Sequence, residues 1–195
     1  MLNLKKYRCL KKNSYRSNNL ILKNIEITHI EKIRKWRNRQ ISILRQNYKI
    51  SKIQQVQYFN QNVWPEKNNL YPDKILFSIF YKNHLIGYGG LVHISWQDKR
   101  SEISFLLDNK YKESSLEYKF FFETFLKLII NISKELKLFK IYTECFSSRT
   151  DLIKLLFNFG FEDYQINRNH YLKNKTFITS IIQTYYINNN TNKSK

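Results

Sequence analysis

The stretch Leu85-Ile-Gly-Tyr-Gly-Gly-Leu-Val-His-Ile-Ser-Trp-Gln-Asp-Lys-Arg-Ser-Glu-Ile-Ser-Phe-Leu-Leu-Asp108 decides the reading of the chain. Two apolar runs flank a polar turn at Ser95 to Arg100. The first run carries Gly87, Gly89 and Gly90; the second alternates Glu102 and Ser104 with apolar residues, then becomes continuously apolar at Phe105-Leu106-Leu107. This is the pattern of a β-hairpin of two central strands, the second exposing polar residues on a ligand face before entering a buried stretch. A lone acid at such a point, just ahead of a helix, suits chemistry on amines. The glycines lead into a strand, not a helix, so no helix N-terminus awaits a phosphate there. They predict close backbone packing or a bulge.

Outward from the hairpin, helix-period and strand-period segments alternate. Leu20 to Ile25 reads as a strand. A capping box at Thr28 and Glu31 opens a helix with Ile30, Ile33 and Trp36 on one face. A second helix follows Ser51, with Ile53, Val56 and Phe59 or Tyr58 inward, and stops by Pro65. Ile75 to Tyr81 is a strand leading into the hairpin. Beyond Asp108, Tyr118, Phe121, Phe122, Phe125, Ile129, Ile132 and Leu136 mark one long helix. Leu138 to Phe146 is a strand, and Leu152 to Phe159 a short helix stopped by Gly160. Two strands near 165–172 and 177–187 close the series. The order β-α-α-β-β-β-α-β-α-β-β predicts one α+β domain over 20–187, a mixed, twisted sheet of about seven strands with helices on both faces. Residues 1–19 read as a basic, frayed extension and 188–195 as a polar tail.

The chain has 195 residues and a formal charge of +19, which favours anionic partners. It also holds 25 Lys and no Ala, the signature of AT-rich coding, so much of that charge is a by-product of composition. Outside the N-terminus the basic residues do not cluster, so nucleic acid is not the expected main ligand; N-terminal binding to it would show a steep salt dependence. No apolar run reaches the ~20 residues of a membrane span. Cys9 and Cys145 lack metal-ligand or redox spacing, no metal site is expected, and a reduced cytosolic protein is the expectation.

Three segments carry a resemblance to the GNAT N-acetyltransferase superfamily. Glu102-Ile103-Ser104-Phe105 resembles the E-I-x-F of the family's fourth strand. Asn158-Phe159-Gly160-Phe161 resembles the GF signature closing the helix after the fifth. Trp36-Arg37-Asn38 is similar to the W-R-N ending the first helix in branches that act on nucleotide-linked amino sugars and ribosomal proteins.

The resemblance implies acetyl transfer from acetyl-CoA to a primary amine. The acceptor is a nucleotide-linked amino sugar or another small anionic amine, with a protein N-terminus or lysine as second choice. It puts the general base on Glu102, against the alternative of a structural acid paired with Arg100 or Lys99. It gives Phe105, Leu106 and Leu107 backbone contacts to the pantetheine arm. Trp36, Arg37 and Asn38 would wall the acceptor site, joined by Tyr88, His93, Trp96 or His170.

Two departures stand out. The family's phosphate loop is glycine-rich, whereas Tyr111 to Tyr118 holds no glycine, and Ser114 and Glu117 form a capping box of their own. Either CoA binds through Ser114, Ser115 and lysines such as Lys112, with Arg149 as a further phosphate contact, or binding is lost. The family's usual general-acid tyrosine is Leu156 here, which leaves Tyr142 or Tyr164 as proton donor. A catalytically degenerate binding module is therefore the rival reading.

Overall fold

The structure, a computed structural model, describes residues 6–187, so the polar tail and the first five residues fall outside it. One eight-stranded sheet runs in the order β1-β2-β3-β4-β5-β6-β8-β7. In chain order its strands are β1 (Ser14–Ser17), β2 (Leu20–Asn24), β3 (Ile75–Tyr81), β4 (His84–Ser95), β5 (Arg100–Leu107), β6 (Lys140–Phe146), β7 (Glu162–Lys173) and β8 (Thr176–Tyr186). Helices α1 (Ile30–Arg39) and α2 (Lys52–Asn62) precede β3; α3 (Leu116–Glu135) and α4 (Thr150–Phe159) flank β6. Only β5 and β6 pair in parallel; all other neighbours are antiparallel.

Strand alternation sorts the sheet's side chains to two cores. Ile75, Phe77, Ile79, Ile103 and Leu107 pack with α3 and α4, while Leu76, Tyr88 and Leu106 pack with α1 and α2. Glu102, Ser104 and Leu106 therefore share the α1–α2 face. In β6, Tyr142 lies beside Glu102 in register, which puts Tyr142, Glu144 and Phe146 on that face too.

The eighth strand is a correction. Residues 6–17 are part of the fold, not a frayed extension. Tyr7, Leu10 and Tyr15 are buried, and β1 pairs with β2. The Tyr7 hydroxyl accepts from Leu76 N at 3.0 Å, at a position beyond the end of β2. Apolar and aromatic residues spaced among lysines and arginines concealed this core segment. Tyr7→Phe leaves that buried N–H without a partner, and a urea melt should register a loss of about 1–3 kcal/mol.

Three local expectations also change. Glu26, not Thr28, starts the first helical turn: its N–H donates to His29 Nδ1, while Glu31 pairs with Arg34. In α2, Gln55 and Phe59 point inward and Ile53 is 70% exposed. Gln55 Nε2 donates to Ile30 O, a bond that a purely hydrophobic periodicity does not foresee. At α3 the cap is Ser115, whose Oγ accepts from Tyr118 N, and Ser114 lies outside the helix. Among the described residues no helix is long and apolar enough to cross a membrane.

Candidate active site

The β4–β5 hairpin forms as the glycines suggest. Gly87, Gly89 and Gly90 lie directly against the backbone of β5 and β3, with no room for a side-chain carbon. A bulge between Val92 and Ser95 closes the hairpin's end and tilts His93 toward Glu102. On its other side, β5 meets β6 at only three positions: Arg100 with Lys140, Ser101 with Ile141, and Glu102 with Tyr142. Past Glu102 the strands part, although β5 continues to Leu107 and β6 to Phe146.

The parting opens a slot through the sheet. Its walls are Glu102 to Phe105 on one side and Thr143 to Phe146 on the other. Tyr118 and Phe122 of α3, Arg149 just before α4 and Leu152 within it line it from one face of the sheet, and Ile43, Leu44, Arg45 and Tyr171 complete the lining. Thr143 Oγ1 is buried there and finds no hydrogen-bond partner among the described residues. An orphaned hydroxyl in an open slot fits a ligand that brings its own polar groups.

Glu102 sits at the vertex of the slot. It is 4% exposed, and burial pushes its carboxyl above the ordinary glutamate range, against the pull of Arg45. Its partner is Arg45, from the loop between α1 and α2, not Arg100 or Lys99. Arg100 instead turns to Asp98. Arg45 also reaches Glu144 Oε2 at 3.1 Å and the Tyr171 hydroxyl at 3.3 Å. Glu144 further accepts from Ser180 Oγ at 2.6 Å and lies 3.4 Å from His170 Nδ1. A two-carboxylate cluster bridged by one guanidinium, with Glu102 buried and Glu144 partly buried, thus occupies this end of the slot.

Two cavities of about 420 and 370 Å³ adjoin the slot on the α1–α2 face, and Ser104 lines all three spaces. Arg37 faces both cavities. Its Nη1 donates to Tyr88 OH at 2.7 Å and its Nε to Gln46 Oε1 at 3.1 Å, both neutral partners. Tyr48, Tyr58 and Phe59 line the larger apolar wall.

Of the residues marked in the sequence, the structure gathers Glu102, Phe105, Arg37, Tyr88 and Arg149 around these spaces. Others it places elsewhere. Trp36 is a core residue, 2% exposed. Asn38 folds the following loop, its Oδ1 accepting from Ile50 N and its Nδ2 donating to Ile50 O. The Leu106 and Leu107 side chains are in the two cores, and the Leu107 carbonyl accepts from Gln40 Nε2 at 2.8 Å. Tyr142 flanks Glu102 but does not line the slot. Trp96 donates its indole N–H to Pro72 O, remote from Glu102.

At the other end, Lys112 and Ser114 are exposed, and the Lys112 carbonyl accepts from the Ser115 hydroxyl. Arg149 is paired with Glu113. Sequence reasoning missed Arg45, Glu144, Tyr171 and Tyr118. Only the alternation of β6, which puts Glu144 two residues beyond Tyr142, signalled one of them. Among the described residues no cluster of His, Cys, Asp and Glu could hold a metal ion.

The family model described as "Acetyltransferase (GNAT) domain" matches residues 22–182. No curated protein matches the chain. Among solved structures, a spermidine N-acetyltransferase from Vibrio cholerae in complex with CoA and spermine aligns with a TM-score of 0.74 at 15% identity, over 87% of this chain and 96% of that one. A dodecameric form of spermidine N-acetyltransferase from Vibrio cholerae gives 0.73 at 16% identity, over 92% and 100%. A probable GNAT-family acetyltransferase from Chromobacterium violaceum gives 0.72 at 11%, over 96% and 92%. At these identities the likeness is one of fold.

Proposed function

From a chain that belongs to the GNAT acetyltransferase family, we infer an enzyme that moves the acetyl group of acetyl-CoA to a primary amine, with Glu102 as the group that takes the amine's proton. The observation that carries this is the parting of β5 and β6 immediately after Glu102. A slot between two unpaired strand edges suits the pantetheine arm and would bring the thioester beside Glu102 at its vertex. An ammonium cannot attack a thioester. It must first lose a proton, and a carboxylate held above its ordinary range by burial is better matched to that task at neutral pH. The neutral nitrogen then bonds to the carbonyl carbon, the C–S bond breaks to release the thiolate, and the proton that the new amide nitrogen sheds balances the one that the sulfur takes up. Tyr171, whose hydroxyl borders the slot, is better placed than Tyr142 to return a proton to sulfur.

The acceptor is a small amine that also carries an anionic group, of which a nucleotide-linked amino sugar is one example. Arg37 supports this: a guanidinium facing the cavities with only neutral partners is suited to a phosphate or carboxylate. A polyamine, the ligand class of the Vibrio cholerae proteins, would meet that same charge as a repulsion. The open slot weighs against a degenerate binding module.

The phosphates fall to the N-terminus of α3 and to the cations beside it, with no glycine needed. The slot runs between β5 and β6 to the side chains of Tyr118 on α3 and Arg149. The Arg149–Glu113 pair stands beside that path. Calorimetric titration with acetyl-CoA should show binding to the wild type. Glu113→Gln, which removes a competing anion and frees Arg149, should tighten it about tenfold, or about 1.4 kcal/mol. No binding to either protein at millimolar ligand would sink this reading.

A further inference from the structure

The loop between α1 and α2 has no regular pattern in the sequence, yet it delivers the one cation at the slot's vertex. We propose that Arg45 is a positioning residue for the reaction: its guanidinium clamps Glu102 of β5 to Glu144 of β6 across the point where the two strands part, and so holds the base aimed at the incoming amine. The inference rests on the proposed role of Glu102.

Three observations converge on it. First, the clamp spans the separation itself. Arg45 Nη2 bonds Glu102 Oε1 and Nη1 bonds Glu144 Oε2 at 3.1 Å, and these two carboxylates stand on strands that no longer hydrogen-bond to each other beyond Glu102 and Tyr142. Without a bridging cation, a buried acid and a partly buried one would face one another across an unpaired gap. Second, the loop that carries Arg45 is itself anchored. Lys173, at the end of β7 and 8% exposed, donates to the carbonyl oxygens of Ile41, Leu44 and Gln46, so one ammonium collects three acceptors that flank Arg45. A lysine buried on backbone carbonyls, with no ion-pair partner among the described residues, is costly unless it fixes something. Third, Tyr171 of the same β7–β8 hairpin contacts both Arg45 and Glu144. Loop, hairpin and both separating strands meet at one guanidinium.

The chemical consequence follows from the charges around Glu102. Facing it are Arg45 from the loop, His93 from β4, and Tyr142 and Glu144 from β6, with Arg100 two residues earlier on β5. Burial and Glu144 favour the protonated acid; Arg45 is the close cation that opposes them. Removing Arg45 leaves the two carboxylates to compete, and like charges at such a site drive one of them to hold its proton. A protonated Glu102 cannot accept the proton of an amine.

The test is a titration of the Glu102 carboxyl in the ligand-free, full-length protein by carbon-13 NMR with labelled glutamate, the signal assigned with Glu102→Gln. Arg45→Met should raise the midpoint by about one to three pH units. Arg45→Lys, whose compact ammonium reaches one carboxylate but not both, should fall between Met and wild type, and it serves if Arg45→Met does not fold. Wild-type midpoints in both variants overturn the proposal. In turnover, the acidic limb of the kcat/KM profile should move upward with the carboxyl midpoint. A purely structural role would lower activity at every pH and leave the limb where it is. Because the carboxyl titration needs no acetyl-CoA, it stands even if the wild type proves inactive as an acetyltransferase.

Discussion

Glu102→Gln should lower kcat/KM for acetyl transfer by about 10²–10⁴-fold, the usual worth of a positioned base, and leave acetyl-CoA affinity unchanged. Glutamine keeps the size of the side chain and an oxygen for Arg45, so the slot keeps its walls. It loses only the charge and the capacity to take a proton. The sign with pH follows from the burial of Glu102. Burial holds its carboxyl above the ordinary glutamate range, so wild-type kcat/KM should be full above that raised value and fall as the pH drops through it. The glutamine variant has no carboxyl there, and its residual rate should lack this limb. Stopped-assay profiles of both proteins against a panel of anionic amines decide the matter. A variant within twofold of wild type at neutral pH would remove Glu102 from the mechanism and return it to the role of a buried structural acid.

Gly90→Ala should destabilise the fold by about 4 kcal/mol or more, at the extreme of single substitutions. Gly90 sits mid-sheet on β4, between β3 and β5, at φ +155. A Cβ built there falls 2.0 Å from Ile75 O, a backbone atom of a central strand that cannot turn aside. Relief would require β3 and β4 to separate, and β4 is the strand that aligns Ser104 by pairing with it. Gly160→Ala is the internal control. Gly160 ends α4 in the left-handed region at φ +104, but a Cβ there meets nothing closer than the Tyr185 ring at 3.7 Å. It should lose only about 1 kcal/mol or so of backbone preference. Chemical denaturation of the two variants separates collision from conformational strain. Equal midpoints would show that the sheet relaxes around residue 90.

Most of the scaffold was legible because burial imposes periodicity. The long helix 116–135, the hairpin 84–107 and the glycine stop at 160 each follow from a repeat of apolar residues or a position that only glycine fills. The same logic put Glu102 and Ser104 on one face of β5. Where sequence reasoning went astray, a polar contact had replaced a hydrophobic one. Gln55 turned α2 by its bond to Ile30 O, and Glu26, not Thr28, caps the short 3-10 turn that leads into α1. In the N-terminal segment, Tyr7, Leu10 and Tyr15 were hidden among cations.

The sequence by itself determined the succession of strands and helices from Leu20 onward, the two-faced sheet, and the candidate acid on its inner strand, since all of these are local patterns read over a few residues. Tertiary structure alone decided what surrounds that acid. Arg45 is 57 residues away in the chain, Glu144 stands on a strand reached only through α3, and Tyr171 arrives from the final hairpin. No period links such positions, because a charge cluster is set by where elements converge in space. It is the parting of β5 from β6 after Glu102 that opens a slot beside this acid.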